Sequence, residues 1–233
     1  ISLIIIHQRN KERKVAKVQS NTYKQILKNI AAYLNVQYKT PEYVFGYVKG
    51  KSILKNSEQH VGKKYIIKAD IKDFFYSIKF DKVKKMFLSF TSNDEIATFL
   101  SKLVTYDGQL YPGLITSPII SNIILKDLDK DFITLSSKYD CVYSRYADDI
   151  TISSDNKYPS KEEIINILFK YNFCLNEKKF KIMKRGQTQV VTGLSVFDQT
   201  PRIPRKVKNK IRTACFLYTR IPSERFKKTV SWC

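Results

Sequence analysis

The sequence predicts an α+β fold, with strands alternating with helices around one central hairpin. Two observations carry this expectation. Cys141-Val142-Tyr143-Ser144-Arg145 and Ile150-Thr151-Ile152-Ser153 are rich in β-branched and aromatic residues and flank a tight turn at Ala147-Asp148. Around them lie segments whose apolar residues recur at helical spacing, several opened by a capping residue. A chain of 233 residues can bury an ample core as one large domain or a few packed subdomains.

In chain order, Ser2 to Ile6 and Lys14 to Val18 read as strands around a charged turn from Arg9 to Arg13. Thr22 to Leu34 is an amphipathic helix with Ile26, Leu27, Ile30 and Leu34 on its apolar face. Tyr43 to Lys55, punctuated by Gly46 and Gly50, reads as loop-rich and basic. Tyr65 to Ile71 is an apolar strand that ends at Asp70. Asp81 to Phe90 and Asn93 to Thr105 are helices; Ser92 or Asn93 caps the second, and Asp94 and Glu95 suit its positive end. Asp107-Gly108 marks a turn. Ser117 as N-cap and Pro118 at the first helical position open a helix that buries Ile119, Ile120, Ile123, Ile124, Leu128, Phe132 and Leu135. A capping box at Ser160 to Glu163 starts a helix reaching about Tyr171. Gln189 to Phe197 is a further strand, and Lys206 to Tyr218 a basic helix after Pro201 and Pro204.

Charge narrows the partners. Forty-two Lys and Arg oppose twenty-one Asp and Glu, a net +21. A two-to-one excess exceeds what an AT-rich coding bias would add, and points to a polyanion. The 15 Tyr and 14 Phe suit stacking on bases. Cys141, Cys174, Cys215 and Cys233 form no CxxC pair, and with only His7 and His60 there is no zinc-site spacing. They are expected to be reduced and buried, as in a cytoplasmic protein. No apolar run has membrane-spanning length, so no membrane partner is expected. Ser2 to Ile6 is too short for a signal-peptide core. The start at Ile1 and the stop after a helical segment lead us to expect that both ends of a longer protein are absent.

The chemistry centres on Tyr146-Ala147-Asp148-Asp149. Two carboxylates on a hairpin tip repel each other, and a divalent metal would offset the repulsion. Alone, an Asp-Asp pair is commonly a solvated turn. Asp70 supplies a third acid at the end of another strand, followed by Lys72-Asp73-Phe74-Phe75. Three such acids can converge on two Mg²⁺ ions, or Mn²⁺ in their place, an arrangement suited to phosphoryl transfer.

At these residues the chain resembles a reverse transcriptase. Asp70 with Phe74-Phe75 is similar to the family's first catalytic motif, Pro112 to Pro118 to its second, and Tyr146 to Asp149 to its third. The resemblance implies a right-hand polymerase, with fingers over 1–64 and a palm over 65–197. Part of the fingers would be inserted at about 79–110, and 198–233 would begin an incomplete thumb. It implies Asp70, Asp148 and Asp149 as catalytic metal ligands, joined by the Ile71 carbonyl. Arg13 would grip the triphosphate, although the usual partner Lys is replaced by Ile6 and His7. Phe75 would pack under the sugar and favour dNTPs, whereas Phe74 reads as core. Gly113 would line the nucleotide site, and Lys179, in Leu175 to Lys179, would protonate departing pyrophosphate. Tyr146 and Thr192-Gly193-Leu194 would touch primer or template, the glycine allowing close backbone approach. The second motif departs from the family: Pro112 stands for the usual Gln, and Leu114-Ile115 for a small residue and Pro, with Gln109 too early to substitute.

Asn56-Ser57-Glu58-Gln59-His60 and Val191-Thr192-Gly193 resemble the two signature strings of bacterial retron reverse transcriptases, with Ser57 in place of Ala. That subfamily implies a structured non-coding RNA as template and primer, copied into DNA that stays joined to the RNA. It also implies phage defence beside an effector protein. Another prokaryotic reverse transcriptase (group II intron or other defence type), an RNA-copying RNA polymerase and a non-catalytic RNA-binding scaffold remain as alternatives.

Overall fold

The computed structural model describes residues 1–8 and 11–220. It opens with a two-stranded antiparallel hairpin, β1 (Ser2–Gln8) and β2 (Lys11–Lys17). The aliphatic residues of β1 gain little burial, and Ile5 keeps 50% of its surface exposed. Anchoring falls to buried Ala16 of β2, whose amide donates to the Pro112 carbonyl at 2.9 Å. Arg9 and Asn10 of the expected charged turn lie outside the described residues.

Helix α1 (Asn21–Gln37) is capped by Ser20, which accepts from the Tyr23 amide. It buries Leu27, Ala31 and Leu34, whereas Ile26, expected on that face, sits at its exposed edge. Helix α2 (Ile53–Glu58) corrects the loop reading of Tyr43 to Lys55. Its apolar residues Ile53 and Leu54 are exposed and its buried pair is Asn56 and Ser57, so no hydrophobic period announces it.

Strand β3 (Tyr65–Asp70) leads through short α3 (Phe74–Ser77) to α4 (Phe80–Thr91) and α5 (Asp94–Val104). Asn93 caps α5 by accepting from Ile96 N at 3.0 Å. The helix expected after Pro118 is two, α6 (Ser117–Ile124) and α7 (Lys126–Lys138), broken at the fully buried Leu125. Ser117 is not its N-cap. It is the first helical residue, and its hydroxyl donates to the Tyr111 carbonyl at 2.7 Å.

The central hairpin follows as β4 (Val142–Tyr146) and β5 (Asp149–Ser154). Helix α8 (Lys161–Lys170) carries the expected capping box between Ser160 and Glu163. Strand β6 (Lys181–Lys184) went unforeseen because only Met183 is even half-buried in a lysine-rich run. Gln189 to Phe197 is not one strand. It is a small hairpin, β7 (Val190–Val191) and β8 (Leu194–Ser195), with Thr192-Gly193 as its turn. Helix α9 (Arg205–Arg220) ends the described chain.

The main sheet runs β4-β5-β3-β6, all antiparallel. Ile67, Ala69, Ile150 and Ile152 of its inner face pack with Leu128, Phe132, Ile164 and Leu168 of the helices. Ile66 alternates to the opposite face and meets Val191 and Val196. Cysteine burial was expected wrongly. Cys174 and Cys215 are exposed, Cys141 is half-buried and all three are free; Cys233 lies outside the described residues. Cys174 turns outward between the buried Phe173 and Leu175, and Cys215 lies on a helix that buries only Ala214. Among the described residues no helix is long and apolar enough to cross a membrane.

One loop fixes the hairpin tip from outside. Arg145 N donates to Tyr43 O at 2.9 Å and Phe45 N to Arg145 O at 2.8 Å, so the chain runs beside β4. It brings Gly46 so close that a Cβ there would stand 2.1 Å from Ala147 N. The Lys51 ammonium ties this loop by donating to the Pro41 and Val44 carbonyls, each at 2.8 Å. We predict that Gly46→Ala, which must displace backbone, lowers stability by more than about 3 kcal/mol. Gly50→Ala meets open space and suffers only its positive φ of 78°, about 1–2 kcal/mol. Urea unfolding compares them; equal losses would show that the packing against Ala147 is not tight.

Candidate active site

The register of the main sheet brings the three acids together. Asp70 at the end of β3 is the direct cross-strand partner of Asp149 at the start of β5. Asp148 occupies the two-residue turn between β4 and β5, and its carbonyl accepts from Ile71 N at 3.1 Å. That backbone bond ties the turn to the chain leaving β3. The turn's first residue, Ala147, has φ of +58°, a left-handed conformation uncommon for a residue with a Cβ.

A second segment closes on the same corner. Asn176 N donates to Asp70 O at 2.8 Å, and its side chain donates to Asp70 Oδ1 at 2.8 Å. Lys179 Nζ donates to Asp70 Oδ2 at 2.5 Å. Both carboxylate oxygens of Asp70 are thus engaged, and its side chain is only 4% exposed. Burial works against the Lys179 charge, but the hydrogen bond and charge of Asp70 outweigh it and hold the lysine above its ordinary pKa.

The carboxylates are under electrostatic load. Burial, then Asp70 and Asp149, push Asp148 up to about 6. Asp149 is also raised, by burial first; Lys68 pulls the other way, and Asp70 adds to the rise. Among the described residues no group of three or more His, Cys, Asp or Glu forms a ready-made ligand cage. Asp70 is instead turned to Lys179 and Asn176. Lys179 and Lys68 offset only part of the negative charge, so this all-oxygen set fits a divalent cation in charge and donor type.

The cleft beside these acids holds about 260 Å³ and is lined by Arg13, Phe75, Ile71, Asp70, Asp148 and Lys179, among others. Six of the expected site residues therefore meet on one surface. Phe74 is 5% exposed, as expected of a core residue, and packs on Phe75 with ring centroids 5.1 Å apart. Gly113 is not part of the lining, whereas Pro112 is. A Cβ at Gly113 would stand 2.4 Å from the Ala16 carbonyl, and its φ is +96°, so its glycine answers to packing against β2. Gln109 does not replace the missing glutamine: it bonds Lys79 and Tyr111, away from the lining. Sequence reasoning missed Tyr47 and Asn176. Tyr47 lines the cleft beside Phe75, with ring centroids 6.1 Å apart. Burial and then Asp148 raise its pKa. The only sequence signal was an aromatic residue following Gly46 in a supposed loop.

The two signature strings, 130 residues apart in sequence, touch each other. Ser57 Oγ lies 3.0 Å from the Val191 carbonyl and 3.1 Å from Thr192 Oγ1. Thr192 Oγ1 donates to the Ile53 carbonyl at 3.1 Å and accepts from Asn56 Nδ2 at 3.4 Å. Thr192 and Gly193 both have positive φ, 44° and 87°, as a type I′ turn requires. A Cβ on Gly193 would meet nothing within 4 Å, so the glycine serves backbone conformation here, not close approach of another chain segment. Tyr146 is half-buried, as are Thr192 and Leu194, and none of the three lines the cleft.

His60 is fully buried between strands, its Nδ1 2.7 Å from Ser153 Oγ and its Nε2 2.7 Å from Ser144 Oγ. A neutral imidazole donates at one nitrogen and accepts at the other, and either serine can answer.

Comparison with known proteins gives these motifs their frame. The family described as "Reverse transcriptase (RNA-dependent DNA polymerase)" matches residues 6–210. The chain belongs to the reverse transcriptase family. Retron Ec73 reverse transcriptase of Escherichia coli is 36% identical over 203 residues, 76% of this chain and 64% of that protein. Retron Mx65 reverse transcriptase of Myxococcus xanthus is 30% identical over 189 residues, 72% of this chain and 44% of that protein. The chain thus spans roughly half to two thirds of the length of these relatives. Among solved structures, telomerase from Candida tropicalis in complex with a TWJ fragment of telomeric RNA superposes with a TM-score of 0.57 at 13% identity. That match covers 95% of this chain and 49% of the telomerase. Apo telomerase from the same organism, truncated from its C-terminal domain, gives 0.56 at 12% identity over 87% of this chain and 54% of that one. At such identity the likeness is one of fold, the right-hand polymerase fold.

His60 makes a pH prediction. Burial, with the charge of Lys63 adding to it, lowers its pKa from 6.5 to about 3. The unfolded chain takes up this proton below 6.5 and the folded protein does not. The stability it contributes is complete above pH 6.5 and is lost as pH falls from 6.5 toward 3, by about 1.4 kcal/mol per pH unit. Urea unfolding between pH 7 and 5 should show a slope flatter by about 1 kcal/mol per pH unit in His60→Gln, since the full slope is reached only below 6.5. Identical slopes would mean that His60 titrates normally in the folded protein.

Proposed function

We propose that this chain carries the catalytic part of a retron-type reverse transcriptase, an RNA-directed DNA polymerase that copies a structured non-coding RNA into single-stranded DNA joined to that RNA. The observation that carries the reading is the meeting of Asp70, Asp148 and Asp149 beside a cleft lined by Arg13, Phe75 and Lys179. Similarity to retron reverse transcriptases, and the contact between the Asn56–His60 and Val191–Gly193 segments, support the subfamily. In this reading residues 65–197 are the palm, 1–64 the fingers, and 198 onward the start of a thumb. Phage defence in a bacterial cytoplasm, beside an effector protein, belongs to the same proposal and rests on the subfamily alone.

Asp70, Asp148 and Asp149, with the Ile71 carbonyl, would hold the divalent ions, which when bound activate a primer hydroxyl and neutralise the leaving oxygens. The chain's own residues do the rest. Arg13 and Lys179, both in the cleft lining, bring positive charge to the triphosphate. Lys179 also carries a proton that it can deliver to pyrophosphate once Asp70 is engaged elsewhere. Phe75 and Tyr47 present an aromatic wall to the sugar. The surplus of Lys and Arg, including Arg205, Lys206, Lys208, Lys210 and Arg212 on α9, suits an RNA–DNA duplex held by its backbone and shape.

One observation favours a second reading. The Pro112–Ile115 loop lacks the expected glutamine and Gln109 does not supply it, which would suit a non-catalytic RNA-binding scaffold. Sequencing nucleic acid co-purified with the full-length protein separates the two. Short DNA joined to one structured RNA is expected, and it should vanish in the Asp148→Asn/Asp149→Asn double variant. In primer extension that variant should lose at least about 10²–10³ in rate while keeping RNA affinity. RNA alone in both samples would favour the scaffold, and unlinked DNA would end the retron assignment. Separately, Phe75→Ala should raise rNTP use relative to dNTP by about 10- to 200-fold, read as the ratio of kcat/KM values. An unchanged ratio would remove Phe75 from sugar selection.

A further inference from the structure

We infer that Arg145 is a positioning residue for the acid cluster: its buried guanidinium holds the Ala147–Asp148 turn in the conformation that presents Asp148. Arg145 lies on β4 and is 0% exposed, the largest fully buried side chain described. Nε and Nη2 donate to Asp129 Oδ1 and Oδ2, each at 2.7 Å, a two-pronged pairing with another fully buried group. Nη1 donates to Asn122 Oδ1 and to the Ala147 carbonyl, both at 3.0 Å. One side chain therefore joins α6, α7 and the turn that carries Asp148.

The rest of the network points at the same turn. Asn122 Nδ2 donates to Gly46 O at 3.0 Å, fixing the glycine that presses on Ala147 N. Tyr143 donates its hydroxyl to Asp129 Oδ1 at 2.6 Å and so completes that carboxylate. Ala147 holds φ of +58°, which costs a residue with a Cβ about 1–2 kcal/mol and persists only where its surroundings over-determine it. Here they do: Arg145 binds the Ala147 carbonyl, Gly46 walls its amide, and Ile71 N binds the Asp148 carbonyl.

Stability alone is a weak reason for this pair. Buried ion pairs commonly do no better than apolar side chains of similar volume. What apolar groups cannot supply is a donor to the Ala147 carbonyl at a fixed position. Lysine cannot supply the fork, because a point charge cannot grip Asp129 at both oxygens while also reaching Asn122 and Ala147. No charge reaches the acids from this device, since Asp129 neutralises it. Its action is geometric.

The inference rests on the reading of Asp70, Asp148 and Asp149 as metal ligands. Its test compares full-length wild type, Arg145→Lys and Asn122→Ala, with Asp148→Asn as reference. Mn²⁺ binding is measured by calorimetry without nucleic acid, and primer extension gives kcat and KM for dNTP. Near-UV circular dichroism confirms folding at the assay temperature. We expect both variants to bind Mn²⁺ about 10- to 100-fold more weakly, with kcat falling and KM for dNTP little changed. Folded variants with wild-type Mn²⁺ affinity and kcat would overturn the inference and leave Arg145 a structural residue. Should Arg145→Lys not fold, the double variant Arg145→Met/Asp129→Asn decides in its place, because it removes the donor to the Ala147 carbonyl without leaving a buried charge unpaired. Wild type that binds no Mn²⁺, or Asp148→Asn that binds it normally, would instead refute the metal reading itself.

Discussion

Three carboxylates must be held together in a half-buried corner against their own repulsion, and much of this fold answers that constraint. Two acids face each other as a register pair, and the third sits one residue away on a turn. None can move off without breaking the β3–β5 ladder or the Ile71–Asp148 backbone bond. The cost, of burial first and of repulsion second, shows in the raised pKa of Asp148 and Asp149. It is partly met by Asn176 and Lys179, which are delivered by the segment that leads into β6. The sheet order β4-β5-β3-β6 is therefore also an electrostatic arrangement: acids lie at the ends of the inner strands, and their cation arrives with the outer one.

A second polar system ties the flank of the sheet. Helix α2 and the turn that follows it bury Asn56, Ser57 and His60, where an apolar face would be usual, and spend their hydrogen bonds on β4, β5 and the β7–β8 turn. Apolar contacts are non-directional and would tolerate sliding, whereas these bonds tolerate little. The strained Thr192, β-branched with positive φ, is explained by its hydroxyl, which asparagine or glycine could not place against Ile53 and Ser57. Because Asn56, Ser57 and His60 are at most 1% exposed, their side chains position the neighbouring turn and present little surface to a ligand.

The legible parts of the chain were those with a strong local signal. β3, β4 and β5 announced themselves by β-branched runs, α5 and α8 by their caps, and the acid cluster by Asp70 and the Asp148-Asp149 pair at strand ends. Elements whose burial is polar or slight stayed hidden. Helix α2 shows the core side chains of a loop, and β6 shows the lysines of a solvated run. The single helix expected after Pro118 failed because apolar spacing continues across Leu125 although the backbone turns there. Cys174 and Cys215 were misplaced since a cysteine's type says little about which face of its element it will occupy.

By itself, then, the sequence determined the α+β class, the three acids and their likeness to a polymerase, because strand propensity, caps and short motifs are local properties. Tertiary structure alone decided what lies between distant residues: Tyr47 beside Phe75, Asn176 and Lys179 on Asp70, Ser57 against Thr192, and Arg145 reaching Asp129, Asn122 and Ala147. All but the Arg145–Ala147 bond join different elements of the fold. Their geometry depends on sheet register and helix placement, and neither leaves a trace in the spacing of residues along the sequence.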